Sequence, residues 1–150
     1  MGLVRLFMNL LQLDDKPYGE CYLKKPEVAQ IVKDKLHEFD GQFYKLMAYC
    51  IMPNHVHLLL DYSVQLKNED DNYIELWKVL KRIKGGTAVV IYRLVGRTGA
   101  FWQRDRYDRV MRNGEETENV INYILDNPLK AGLVNRREDF AHSYANDEVI

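Results

Sequence analysis

Two apolar runs, residues 43–52 and 55–62, are separated only by Pro53 and Asn54. Both are rich in aliphatic and aromatic residues and have strand length, so each reads as a buried strand. A two-residue connection leaves room for a tight turn and nothing else. The pair sets a hairpin in the middle of the chain, and the other segments must be arranged around it. Residues 3–13 read as a first strand. Residues 25–39 place Val28, Ile31, Val32, Leu36 and Phe39 at helical spacing, with Pro26 in the first turn. After a polar, acidic loop over 63–72, residues 73–94 read as a long helix. Its apolar side is Ile74, Trp77, Leu80, Ile83, Val90, Ile91 and Leu94, and Gly85-Gly86 is placed to interrupt it. Residues 101–112 alternate large and charged side chains, as a strand does. Asn113-Gly114 is a turn signal, and 115–127 form a last helix with Val120, Ile121, Ile124 and Leu125 inward. Pro128 is expected to end it, because the residue before a proline is pushed out of helical geometry.

The order strand, helix, strand, strand, helix, strand, helix predicts an α+β fold of ferredoxin-like type: an antiparallel sheet with helices packed on one face. The 150 residues suit a single domain over 1–150 with a real core. The hydrophobic content of 47% and charged content of 29% are those of a soluble globular protein. No apolar run approaches the roughly 20 residues of a membrane span, so no membrane partner is expected. Residues 3–13 lack a basic leader and a small-residue cleavage site. Cys21 and Cys50, the only cysteines, make neither a disulfide framework nor a zinc knuckle, and a reducing cytoplasm is the simplest compartment.

Within the second apolar run, His55 and His57 stand at i and i+2. On a strand, successive side chains alternate faces, so the two imidazoles project together. Side by side they can bind one divalent metal; two half-buried structural histidines would give the same pattern. On the last helix, Tyr123 and Asn127 stand at i and i+4 and share a face. A hydrogen-bonded phenol and an Asn capping the helix end before Pro128 would account for them structurally. The net charge of −1 is uninformative, but its distribution is not. Lys78, Lys81, Arg82, Lys84, Arg93 and Arg97 fall in one acid-free stretch, and Arg104, Arg106, Arg109 and Arg112 follow. A solvated helix face and a phosphate-binding surface both fit. His37 and His142 have no partner by spacing.

Taken together, "CIMPNHVHLLL" and "YILDNPLKAGLV" resemble the HUH motif and the tyrosine helix of the single-tyrosine transposases. "LKRIKGGTA" and "FWQRDRYDRVMR" resemble intervening segments of the same proteins in the same order. The resemblance covers residues 44–134 and is nearest to the REP-associated and insertion-sequence tyrosine transposases. It implies a metal-dependent transposase that nicks and rejoins single-stranded DNA, with the HUH motif on a sheet strand and the catalytic Tyr on the last helix. Tyr123 would attack a phosphodiester, leaving a 5′-phosphotyrosine and a free 3′-hydroxyl. His55, His57 and Asn127 would hold the metal. Mixed nitrogen and oxygen ligands suit Mg²⁺ or Mn²⁺, whereas a His pair alone prefers later transition metals, so the identity of the metal rests on the resemblance. Lys78, Lys81, Arg82, Lys84, Arg104 and Arg106 would then bind single-stranded DNA carrying a hairpin; Trp102 and Tyr107 fit stacking on it and core packing on a sheet face equally. A homodimer is expected. The alternatives are a domesticated, non-catalytic binder of structured single-stranded DNA and a metal-dependent nuclease that uses water.

Overall fold

The central hairpin forms from β2 (Lys45–Met52) and β3 (His55–Asp61), with Met52 opposite His55 and Lys45 opposite Asp61. Neither turn residue has a positive φ, and Pro53 supplies the fixed φ that suits the first corner of an ordinary turn. The computed structural model describes residues 5–11, 21–66, 74–96, 101–103 and 106–149. Among these, five strands form one antiparallel sheet in the order β4-β1-β3-β2-β5. Here β1 is Arg5–Leu11, β4 is Arg106–Val110 and β5 is Ser143–Ala145. The first four strands follow the order that split βαβ units produce, and β5 adds a strand on the outer edge of β2.

β2 and β3 are buried at nearly every position, so both of their faces need cover. On one face lie α1 (Pro26–Glu38) and α3 (Leu76–Val95). Val28, Val32 and Leu36 of α1 and Val79, Ile83 and Ile91 of α3 pack there with Leu6, Met8, Leu10, Val56, Leu58 and Leu60. The other face is covered by α4 (Gly114–Lys130), whose Val120, Ile121 and Ile124 pack on Met47, Ala48, Cys50, Met52 and Leu59. The antiparallel α+β sheet is as expected, but its helices are not all on one face. Leu59 has to be buried as well as Leu58 and Leu60, and α4 is the element that buries it. Between β3 and α3, Ser63–Leu66 forms one further helical turn, α2.

Several boundaries differ from expectation. α3 runs unbroken through Gly85-Gly86. A Cβ at Gly86 would come within 3.1 Å of Lys35 Cε, so the glycine leaves room for the end of that side chain. Trp77, Val90 and Leu94 are exposed rather than inward, because the buried stripe runs instead through Val79, Leu80, Ile83, Thr87 and Ile91. At the Asn113-Gly114 turn, Asn113 is the N-cap of α4: its Oδ1 accepts from the Glu116 N–H at 2.9 Å. Pro128 does not end α4. The helix continues to Lys130, with Pro128 buried in its last turn. It closes at Gly132, φ 75°, where the Leu133 N–H bonds the Pro128 carbonyl at 2.9 Å and the Gly132 N–H bonds that of Leu129 at 3.1 Å. A left-handed glycine with this pair of bonds satisfies the last carbonyls without any side chain. A proline this near the end removes only one N–H from the ladder, which the remaining turn tolerates.

Candidate active site

His55 and His57 point from β3 to the α4 side of the sheet, the side shared by Leu59. Their Nε2 atoms converge to 3.2 Å, with ring centroids 4.7 Å apart. His57 is 4% exposed and His55 half-buried. Phe7 of β1 stacks along the His57 ring at 5.8 Å and 15°. Tyr123 of α4 sets its ring edge-on to both, 5.5 Å from His57 and 6.1 Å from Phe7. It remains 46% exposed, so a substrate can reach the phenol.

Burial pushes His57 down to about 4, and the neighbouring His55 charge pushes it the same way. Burial lowers His55 as well. Both rings are therefore neutral near pH 7, the form in which imidazole nitrogen is a ligand. Two nitrogens about 2.1 Å from one ion, at right-angled to tetrahedral angles, lie roughly 3.0–3.4 Å apart. The observed 3.2 Å fits a shared divalent ion. Among the described residues, no group of three His, Cys, Asp or Glu side chains could hold a metal. Among the described residues, a further protein ligand would be of another type. Asn127 lies one helical turn beyond Tyr123, half-buried, and since Gly132 closes the helix its side chain is not needed as a cap.

The sequence-based basic residues are distributed differently. Lys78, Lys81 and Arg82 are exposed on α3, on the opposite side of the sheet from the histidines. Lys78 lies over the Trp77 ring at 5.4 Å and Arg82 over Phe43 at 5.3 Å. Lys84 is half-buried and donates to the Gln103 carbonyl at 2.7 Å. Arg104 lies outside the described residues. Arg106 opens β4 opposite Asn9, which is itself opposite His57. Trp102 belongs to the core, donating its indole N–H to Thr87 Oγ1 at 2.9 Å, and is not available for stacking on DNA. His37 is tied to the Tyr49 hydroxyl at 3.0 Å, and His142 sits against Phe140, both away from the site.

Three residues at the site were not singled out by sequence. Phe7 packs both rings from β1. Lys130 brings its Nζ to 5.6 Å from the Tyr123 ring centroid; it lies seven residues on, two helical turns along the same face, a spacing legible in the sequence. Asn54 accepts from His55 Nδ1 at 2.7 Å.

The family profile described as IS200-like transposase matches residues 20–127 of this chain. The chain belongs to the IS200-like transposase family. This transposase is similar to a protein of Haemophilus influenzae described as a REP-associated tyrosine transposase, with 30% identity over 99% of this chain and 82% of the relative. Its fold matches a solved REP-associated tyrosine transposase described as bound to a REP hairpin. The TM-score is 0.66 at 17% identity, covering 93% of this chain and 75% of the other. No helix among the described residues is long and apolar enough to cross a membrane.

Proposed function

We propose that this transposase cuts and rejoins single-stranded DNA with Tyr123 as nucleophile. The observation that carries the reading is the contact of a half-exposed Tyr123 ring with His57, whose Nε2 converges with that of His55. In the reaction, Tyr123 Oη bonds to the phosphorus of a phosphodiester and loses its proton to solvent. The P–O3′ bond breaks, the 3′ oxygen takes up a proton and leaves as a hydroxyl, and the fragment on the 3′ side of the cut stays on the tyrosine through its 5′ phosphate. Attack by a 3′-hydroxyl on that phosphotyrosine reverses the step and restores the phenol. A divalent ion, Mg²⁺ or Mn²⁺, held by His55, His57 and Asn127 would neutralise charge on the phosphate oxygens.

The chain's own residues account for the rest. Phe7 and His57 hold the phenol ring at a fixed angle, so the oxygen is presented rather than free to rotate away. The Lys130 ammonium, over the Tyr123 ring, attracts the DNA phosphate. Because Tyr123 and His57 of one chain already touch, cleavage by a single copy is the simpler reading. The expected homodimer would then concern assembly rather than completion of the site. The hairpin named for the solved relative makes hairpin-bearing single strands the first substrate to try. Arg106, in the sheet row of His57, and the α3 cations are the proposed DNA contacts.

Covalent trapping tests the reading. Hairpin-bearing single strands from a diverse pool, labelled on either end in separate reactions, are incubated with protein in Mg²⁺ or Mn²⁺ and run on denaturing gels. Label from the fragment on the 3′ side of the cut should remain on the protein, and should vanish in EDTA and in Tyr123→Phe. An adduct that persists in Tyr123→Phe would remove this tyrosine from its role. Tight binding with no adduct from any pool member would favour the non-catalytic binder.

A further inference from the structure

We infer that Asn54 is a positioning residue that fixes the tautomer of His55, and through it the proton arrangement of the histidine pair. The inference rests on the reading of His55 and His57 as metal ligands, and it names the residue that prepares them. Asn54 is the second residue of the two-residue turn and directly precedes His55. Pro53 on one side and the Met52–His55 pairing on the other leave the turn little freedom. The carboxamide oxygen of Asn54 lies 2.7 Å from His55 Nδ1. That oxygen can only accept, so Nδ1 carries the ring proton. A neutral imidazole has one such proton, and Nε2 of His55 is left with a free lone pair. Nε2 is the nitrogen that faces His57.

His57 is built differently. Its Nδ1 is buried and has no hydrogen-bond partner among the described residues. A proton there would be a buried donor with nothing to donate to, the less favourable of its two tautomers. In the ion-free protein the proton therefore sits on His57 Nε2, which donates across 3.2 Å to His55 Nε2. The chain runs from His57 Nε2–H to His55 Nε2, and from His55 Nδ1–H to Asn54 Oδ1. His55 is thereby held in the ligating form before any ion arrives, as an outer hydrogen-bond acceptor does for histidine ligands generally. Of the two rings, only His57 must shift its proton for both Nε2 atoms to become ligands. The turn residue is thus part of the site through its contact with His55.

Two readouts on the full chain test this, neither of them activity. Long-range proton–nitrogen spectra of the metal-free protein, taken about pH 8 where both rings are neutral, should show opposite tautomers: His55 protonated on Nδ1 and His57 on Nε2. In Asn54→Ala, His55 should lose its single tautomer and shift towards Nε2–H. Asn54→Asp, which keeps an accepting oxygen, should retain the wild-type pattern. Mn²⁺ binding followed by electron paramagnetic resonance should weaken about 10- to 100-fold in Asn54→Ala and stay near wild type or tighten in Asn54→Asp. A wild-type His55 protonated on Nε2, or an Asn54→Ala spectrum and Mn²⁺ affinity unchanged from wild type, would overturn the inference. Failure of the ligand reading has its own signature: wild type that does not bind Mn²⁺, or His57→Ala that binds it equally well.

Discussion

Tyr123 combines two properties that rarely coincide in a large aromatic side chain. It is almost half exposed, yet its ring is fixed by Phe7 and His57. Lys130 beside it has no acidic partner among the described residues, unlike Arg136 and Arg137, which are paired with Asp139 and Asp126. A free cation two turns from the proposed nucleophile suits a phosphate contact. Lys130→Ala should slow adduct formation and lower the salt dependence of DNA binding by about one phosphate's worth, near 0.7 in the log–log slope for a single strand. An unchanged slope would show that Lys130 does not meet the backbone. His57 gives the pH dependence. Its folded value is depressed to about 4 from an ordinary 6.5, so between these values the unfolded chain binds more protons than the folded one. In EDTA, Tm should therefore fall as pH is lowered from about 6.5 towards 4 and stop responding to this residue below that. A nitrogen-detected titration of His57 with a midpoint near 6.5 would contradict the burial argument.

At the scale of elements, α4 is the part on which the site depends. It carries Tyr123 and Asn127 and is held by three devices. Asn113 caps its start, and Arg5 of β1, ion-paired to Asp61, donates to Thr117 Oγ1 at 3.3 Å. Val120, Ile121 and Ile124 bury its inner face. Ile124 has no exposed surface and lies next to Tyr123 in sequence. Ile124→Ala should cost about 2–5 kcal/mol in urea unfolding, and Asn113→Ala about 1 kcal/mol. The cap variant should keep its adduct yield at temperatures where it is folded, since it touches nothing at the site. Loss of adduct from a folded Asn113→Ala protein would mean that the helix start also sets the angle of Tyr123.

Over the whole molecule, the sheet separates two surfaces. The histidines, Tyr123 and Lys130 are on the α4 side, and Lys78, Lys81 and Arg82 are exposed on α3 beyond the other face. DNA that reaches both must pass around an edge of the sheet. Lys81→Glu with Arg82→Glu should weaken hairpin binding and flatten its salt dependence while leaving the tautomers and Mn²⁺ affinity of the histidine pair unchanged. Binding that is indifferent to this double reversal would confine the DNA to the α4 side.

The sequence by itself determined most of the elements and which candidate site residues share a face. Period-2 placement put His55 and His57 on one face, and helical spacing put Asn127 one turn from Tyr123. The two-residue turn fixed the β2–β3 hairpin, because these signals are local and depend on backbone geometry alone. Tertiary structure decided what is close across the chain. That α4 covers the face opposite α1 and α3, that Phe7 meets both rings, and that the α3 cations lie away from the histidines are long-range outcomes. They depend on which surfaces must be buried together. The misread ends were of the same kind. Proline is a strong local stop, but a buried Pro128 and a left-handed Gly132 carried the helix past it. Trp102 looked equally fit for DNA or core until Thr87, fifteen residues away on α3, supplied a buried acceptor for its indole N–H. A chain read one segment at a time cannot show which distant group will satisfy a polar atom, and here that satisfaction separated core from site.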